Sequence, residues 1–172
     1  MCDGAPHVFG TSSTDKNCRM WDRRMKGGVA FRCFRAKYPT NCCDLMPEAK
    51  GIVAGCDNAS WEYFDVGCNA QVARGKVTKG RCESLALSKS GQMVFLGWDG
   101  DTGLVVANTF VPDSEQAKIT SSGHHTDTIY SCSLAPDGTA LATASFDGST
   151  KIWSSATWSP PYHAPYVTYK HE

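Results

Sequence analysis

The feature that most constrains this chain is a pattern that recurs at intervals of 42 to 47 residues. Each copy contains a short apolar run, a turn rich in Gly, Ser or Asp, a second apolar run and a closing residue that is usually aromatic. The closing marks fall at Trp21-Asp22, Phe64-Asp65, Val106-Ala107 and Trp153-Ser154. A unit this short cannot bury its apolar faces alone, so we expect neighbouring units to stack on one another.

The best-preserved unit is the last, which closes at Trp153. Its two apolar runs, 129–134 and 139–145, flank the tripeptide 136–138, which reads Pro-Asp-Gly. Pro fixes φ, Asp hydrogen-bonds back to the chain and Gly accepts a positive φ, so this tripeptide predicts a hairpin turn. Residues 141–144 are apolar or small at every position, which favours a strand that is covered on both faces.

Units of roughly 40–45 residues built from four short strands are typical of β-propeller blades. The sequence therefore predicts an all-β fold, namely a partial propeller with three blades and part of a fourth, out of a presumed seven. The predicted units span 7–27, 28–66, 67–110 and 111–153, and a Pro- and Tyr-rich tail follows at 154–172.

The tail contains Pro160, Pro161 and Pro165, and proline does not fit a central strand. We favour an extended or disordered tail. The alternative is that the tail supplies the outer strand of the last blade.

The length of the chain matches only part of a closed ring. Seven blades need on the order of 300 residues, and the chain has 172. We expect a fragment of a longer protein, and the alternative is that two copies complete a ring.

Charge and cysteine content narrow the partner classes. Lys and Arg number 17, as do Asp and Glu, which argues against nucleic acid or an anionic membrane as a partner. No apolar run approaches the ~18 residues that cross a bilayer, and the first ten residues lack a signal-peptide pattern. We expect a cytoplasmic protein that meets the plasma membrane only through partners.

The nine cysteines lack zinc-site spacing, so we expect free thiols, no metal and no cofactor.

Four stretches resemble the β subunit of heterotrimeric G-proteins, a member of the WD-repeat family. They lie at residues 17–24, 54–65, 87–99 and 141–147. Their order and spacing match the C-terminal half of that subunit over residues 7–153. The most specific match is Phe64-Asp65, because the β subunit also carries Phe rather than Trp in that blade.

The resemblance implies a binding scaffold rather than an enzyme. In that family the narrower face of the propeller binds the α subunit and effector proteins, and the matching contact positions here are Thr14, Asn41, Asp57 and Phe146. Asn41 and Asp57 are the family's own residue types, whereas Thr14 replaces a Cys and Phe146 replaces a Trp. Two further contact positions hold Pro39 and Thr128, where the family has Asp and Arg.

Other partners follow from the same resemblance. The γ subunit is a further candidate, although it pairs with an N-terminal helix that this sequence lacks, so its binding through residues 7–153 would be incomplete. We expect no small-molecule substrate. The alternative function is a WD-repeat adaptor of another pathway, such as ubiquitin ligation or kinase scaffolding, without a GTPase partner.

The resemblance also implies a structural hydrogen-bond set made of His125, Ser145, Asp147 and Trp153. In it Asp147 orients His125, His125 meets Ser145, and Ser145 meets the indole N–H of Trp153. A hydrolase triad is the competing interpretation, but no Gly-x-Ser-x-Gly surrounds Ser145, and geometry rather than residue type defines a triad. We therefore expect no catalytic residue here.

Overall fold

A computed structural model of the protein describes residues 4–76, 80–99, 104–110, 117–119, 124–154 and 167–170. In these residues the chain forms four antiparallel sheets, each with its strands in chain order. Sheet 1 contains β1 (Val8–Thr11), β2 (Asn17–Asp22) and β3 (Arg32–Arg35). Sheet 2 contains β4 (Thr40–Leu45), β5 (Gly51–Cys56), β6 (Ser60–Asp65) and β7 (Ala70–Lys76), with a 3-10 turn at Pro47–Ala49.

The remaining two sheets repeat this order. Sheet 3 contains β8 (Cys82–Leu87), β9 (Met93–Trp98), β10 (Leu104–Asn108) and β11 (Ala117–Ile119). Sheet 4 contains β12 (Ile129–Leu134), β13 (Ala140–Ser145), β14 (Ser149–Ser154) and β15 (Val167–Lys170). The predicted all-β, partial propeller of three blades and part of a fourth is confirmed. No helix in the described part of the chain is long and apolar enough to cross a bilayer.

The sheets are offset from the sequence units by one strand. β7, for example, lies in the unit 67–110 but pairs with β6 of sheet 2. β11 is related in the same way to β10 of sheet 3. The repeat length is the same wherever a unit is taken to begin, so periodicity alone does not reveal which strands share a sheet.

The favoured interpretation of the tail is wrong for residues 167–170, and the alternative holds there. β15 pairs antiparallel with β14, with Thr168 opposite Lys151 and Val167 opposite Ile152. Its Val-Thr-Tyr sequence suits a half-exposed strand, and it covers an edge that would otherwise expose unpaired backbone groups. The three prolines lie outside the described residues.

Three apolar clusters fill the spaces between successive sheets. Sheets 1 and 2 enclose a cluster that contains Met20 and Phe64, and sheets 2 and 3 enclose the largest one, which contains Trp61 and Trp98. Sheets 3 and 4 enclose a third around Trp153. The central strands β5, β9 and β10 are therefore buried on both faces, which explains why they read as nearly continuous apolar runs.

The closing mark of the third unit lies one residue later than the sequence pattern indicates. Trp153 stands opposite Leu141 in sheet 4, and the equivalent pair in sheet 3 is Ala107 opposite Val94. Ala107, not Val106, thus occupies the tryptophan position. With no aromatic residue there, the sequence offers no mark that fixes the position.

Candidate functional site

A buried hydrogen-bond network links the strands of sheet 4. Nδ1 of His125 lies 3.0 Å from Oδ2 of Asp147, and Nε2 of His125 lies 2.8 Å from the hydroxyl of Thr143. The indole N–H of Trp153 donates to the same hydroxyl oxygen at 2.8 Å. With Nδ1 protonated, Thr143 donates to His125 and accepts from Trp153, so each of these polar atoms is paired.

The prediction that Ser145 joins His125 to Trp153 is wrong, because Thr143 occupies that place. The register sets Trp153 opposite Leu141, and Thr143 is the diagonal neighbour on the same face, about 7–8 Å away at the backbone. Ser145 is two residues further along, beyond reach of the indole. It instead donates to the carbonyl of Asp127 at 2.9 Å and accepts the backbone N–H of Asp147 at 3.2 Å.

Electrostatics favour a neutral imidazole beside an ionised carboxylate. Burial lowers the pKa of His125, and this effect outweighs the opposing effect of the hydrogen bond that His125 donates to Asp147. Burial alone would raise the pKa of Asp147, but hydrogen bonds from the Ser149 hydroxyl, the Thr126 backbone N–H and His125 hold it well below its usual range. Asp147 therefore acts as a charged acceptor that secures both the turn and the imidazole.

The residues equivalent to Trp153 and Thr143 vary together in sheets 1 and 2. In sheet 1 the indole N–H of Trp21 donates to the hydroxyl of Thr11 at 2.9 Å. In sheet 2, Phe64 replaces the tryptophan, and the register puts Ala54 at the hydroxyl position. At these two positions the indole donor and its hydroxyl acceptor are thus kept together or lost together, which avoids an unpaired N–H at the closing residue of each sheet.

The network of sheet 4 is closed to solvent. His125 is 1 % exposed and Trp153 is 1 % exposed, and both ring nitrogens of His125 are engaged by protein groups. A substrate would have to displace these bonds to reach the imidazole.

The predicted partner contacts lie at one end of the four sheets, on a surface that we call the rim face. In each sheet, the turn that contributes to it connects the strand carrying the residue equivalent to Thr143 with the strand carrying the residue equivalent to Trp153. The equivalent turn positions, one in each sheet, are Thr14, Asp57, Asp99 and Phe146. Phe146 is 72 % exposed, the most exposed large apolar side chain among the described residues.

A second set of rim residues comes from β-bulges in the first strands of sheets 2, 3 and 4, which we call the inner strands. The extra residue lies between Thr40 and Cys42 in β4, between Cys82 and Ser84 in β8, and between Ile129 and Ser131 in β12. These bulge residues are Asn41, Glu83 and Tyr130. A bulge redirects a side chain out of the regular alternation, which places these three beside the turn residues.

Bulge and turn residues contact each other in two of the sheets. In sheet 2, the side-chain amide of Asn41 donates to Oδ1 of Asp57 at 2.6 Å. In sheet 4, the rings of Tyr130 and Phe146 pack edge to face with centroids 6.1 Å apart. The rim face therefore has a polar part on sheet 2 and an aromatic part on sheet 4.

Charged groups border the rim between these two parts. Glu83 accepts a hydrogen bond from Arg81 at 2.6 Å and raises the pKa of that guanidinium, with smaller contributions from Asp57 and Asp99. Asp99 also accepts a hydrogen bond from Thr128 of sheet 4 at 3.3 Å. A depression of about 490 Å³ lies here, lined by Asp57, Asn58, Ala59, Lys76, Gly80, Arg81 and Asp99.

A groove of about 500 Å³ follows the inner strands β4, β8 and β12. Within it the carboxylate of Asp44 accepts the backbone N–H of Leu87 at 3.0 Å, which joins sheets 2 and 3, and burial raises its pKa. None of the predicted contact residues lines this groove. The rim face is therefore the better candidate.

Sequence reasoning placed Thr14, Asn41, Asp57 and Phe146 on a face that the structure assembles, but it missed the bulge residues Glu83 and Tyr130. Superimposing the repeat units would have aligned both with Asn41. Trp98, the residue directly before the turn residue Asp99, is 2 % exposed and packs between sheets 2 and 3.

Comparisons with known proteins agree with this fold. Residues 116–154 match the family described as WD domain, G-beta repeat. The chain is 27% identical over 154 residues to a guanine nucleotide-binding protein subunit beta of Arabidopsis thaliana and 27% identical over 163 residues to that of Solanum tuberosum. Each match covers 87% of this chain and 41% of the relative.

A second kind of relative is also similar. The chain is 24% identical over 159 residues to the target of rapamycin complex subunit LST8 of Bos taurus, covering 87% of this chain and 47% of that protein. The chain thus spans less than half the length of each of these three relatives. From its sheets and its repeat, the chain has a partial β-propeller fold; its residues 116–154 match the WD-repeat family, and the chain is similar to G-protein β subunits.

Proposed function

We propose that the chain is part of a G-protein β-subunit-like scaffold in GTPase-coupled signalling, and that its rim face binds a G-protein α subunit and effectors. The observation that carries the proposal is the rim itself, where equivalent turn residues of the four sheets and three bulge residues lie on the same face. The similarity to G-protein β subunits supports the choice of partner.

The aromatic part of the rim is the natural anchor for such a partner. Phe146 is 72 % exposed and Tyr130 is 56 % exposed, and exposed aromatic pairs are frequent centres of binding energy at protein interfaces. Asn41 and Asp57 would supply a separate polar contact on sheet 2, and Thr14 would lie at the far end of the rim. The scaffold would be non-catalytic and cytoplasmic, and would reach the plasma membrane through its partners, with a γ subunit as a further candidate.

The test is direct binding of the full-length protein to purified GDP-loaded α subunits, with Phe146→Ala as the main variant. We expect binding to weaken by roughly tenfold or more, as for a buried aromatic anchor. Tyr169→Ala is the matched control, because Tyr169 is 58 % exposed on the outer strand of the same sheet. The proposal fails if no GDP-loaded α subunit binds the full-length protein.

A second candidate is a scaffold subunit of another signalling complex. The similarity to a target of rapamycin complex subunit favours it, as do Pro39 and Thr128, which replace charged contact residues of the G-protein β family. Affinity purification of the full-length protein distinguishes the two, because this candidate predicts a stable complex without a GTPase. Loss of that complex in Phe146→Ala would show that the same face is used.

A further inference from the structure

Two cysteine thiols from adjacent sheets meet just behind the rim face. Cys42 lies on β4 of sheet 2 and Cys82 on β8 of sheet 3, and their sulfur atoms are 3.5 Å apart. Both are free thiols, Cys42 half-buried and Cys82 buried. They are 40 residues apart in the sequence, so the fold rather than local chain geometry brings them together.

Gly55 on β5 provides the room for both sulfur atoms. A Cβ at this position would lie 2.4 Å from Sγ of Cys82 and 2.6 Å from Sγ of Cys42. Such distances are far shorter than a van der Waals contact, so any side chain here would displace the thiols. The absence of a side chain at Gly55 therefore leaves the space that the two sulfur atoms occupy.

The next sheet interface has the same geometry with different chemistry. A Cβ on Gly97, the equivalent glycine of β9, would lie 2.4 Å from Oγ of Ser84 and 2.8 Å from Cγ2 of Ile129. Ser84 there donates to the carbonyl of Ile129 at 3.3 Å. A close approach between sheets is thus a repeated feature of the fold, and at the interface of sheets 2 and 3 two oxidisable atoms occupy it.

The two sulfur atoms differ in access, and the more buried one belongs to a thiol whose pKa is raised. The Cys82 thiol lies 3.5 Å from the carbonyl oxygen of Ser84, to which it can donate, and burial raises the pKa of Cys82 well above its usual value. Cys42 is the more exposed of the two, so a small oxidant reaches its sulfur first. Reactivity at a cysteine pair follows such differences in access and thiolate character.

We propose that Cys42 and Cys82 form a redox modification site, in which a peroxide converts the two thiols into a disulfide between sheets 2 and 3. The Cys42 sulfur attacks hydrogen peroxide, the O–O bond breaks, and Cys42 becomes a sulfenic acid as one water leaves. The Cys82 sulfur then attacks Cys42, the S–O bond breaks, and the departing hydroxyl takes the thiol proton as a second water. Two thiols are oxidised and one peroxide is reduced, and an external dithiol reverses the step.

The disulfide would act directly on the polar part of the rim. The amide of Asn41 donates both to Asp57 at 2.6 Å and to the carbonyl of Cys82 at 3.2 Å. A disulfide sets the sulfur separation at about 2.05 Å, so its formation draws the two inner strands together at this point. The oxidation chemistry stands by itself, whereas an effect on partner binding rests on the proposed function.

The experiment treats the reduced full-length protein with graded hydrogen peroxide, blocks the remaining thiols by alkylation and maps peptides without reduction. We expect one peptide pair joined through Cys42 and Cys82, which dithiothreitol restores to thiols. Cys42→Ala and Cys82→Ala should each abolish the pair. Cys43→Ala is the matched control, because Cys43 is adjacent on β4, similarly half-buried, and packs against the opposite cluster.

The proposal is overturned if Cys42 proceeds to sulfinic acid without a cross-link, or if both thiols remain alkylatable while the exposed Cys33 and Cys68 are oxidised. A cross-link that persists in Cys82→Ala would also overturn it. Mapping of the unsubstituted protein decides the matter even where a variant fails to fold. A protein that forms the disulfide but binds no α subunit when reduced would refute the proposed function and leave this site intact.

Discussion

The indole N–H of Trp153 donates to the hydroxyl oxygen of Thr143 across 2.8 Å, and the same hydroxyl lies 2.8 Å from the buried imidazole of His125. One threonine therefore satisfies two buried rings from different segments of the chain. Sheet 1 retains the first half of this arrangement in Trp21 and Thr11.

Replacing Thr143 with valine should destabilise the protein by about 1–3 kcal/mol, because it removes a hydroxyl and leaves the indole N–H and one imidazole nitrogen unpaired. The free energy of unfolding, measured by denaturant titration, checks this. Thr143→Ser keeps the hydroxyl and should retain most of the stability. Ser145→Ala should leave the fluorescence of Trp153 unchanged. A larger change in that fluorescence from Ser145→Ala than from Thr143→Val would contradict the register in which Trp153 stands opposite Leu141.

Stability should fall as the pH is lowered below about 6.5, because His125 stays neutral in the folded state. Burial lowers its pKa from the ordinary value of 6.5, so in this range the unfolded chain takes up a proton that the folded chain does not. The free energy of unfolding therefore decreases from about pH 6.5 down to the folded-state pKa of His125. Denaturant titrations between pH 5 and 8, roughly the range in which histidine titrates, measure this slope.

The pH effect should depend on the side chain at position 125. His125→Gln removes the titrating imidazole and should flatten the slope. Protonation of Asp147, whose pKa is held low in the folded state, reduces stability only at pH values below its ordinary pKa of 3.8. The effects of His125 and Asp147 therefore fall in separate pH ranges. An unchanged slope in His125→Gln would contradict this assignment.

Gly97→Ala should destabilise the contact between sheets 3 and 4. The added Cβ would lie 2.7 Å from the backbone carbonyl oxygen of Ile129, which cannot move without disturbing β12. We expect a loss of about 1–3 kcal/mol, typical of overpacking, in the free energy of unfolding. Gly67→Ala is the control, since its nearest neighbour is a side-chain oxygen of Asp65 at 3.2 Å, and an equal loss there would contradict the explanation.

Oxidation of Cys42 and Cys82 should raise thermal stability. A cross-link that closes a loop of 40 residues restricts the unfolded chain and contributes up to about 4 kcal/mol. Melting temperatures of the oxidised and reduced protein measure the gain. The gain should vanish in Cys42→Ala and persist in Cys43→Ala, and an oxidised protein that melts at a lower temperature would indicate strain in the folded state instead.

The repeat could be predicted from sequence because its period is set by chain length per blade, and turn residues such as Gly138 mark the hairpins. The position of Thr143 could not, because it depends on which residue stands opposite Trp153, and strands of alternating side chains tolerate several registers. Nor could the bulge at Tyr130, since an extra residue in one strand leaves no mark in composition. The outer strand at 167–170 was only the less favoured of two interpretations of the tail, because the prolines that precede it do not fit a central strand.

The one-strand offset between repeat and sheet has a consequence for how such a chain can grow or be divided. A repeat inserted by duplication brings its own outer strand to the preceding sheet and three strands to a new one, so each addition arrives already interlocked with its neighbour. A cut at a repeat boundary does the opposite, because it strips β7 or β11 from the sheet before it. Exchange of segments between relatives should therefore succeed at the edges of sheets and fail at the edges of repeats.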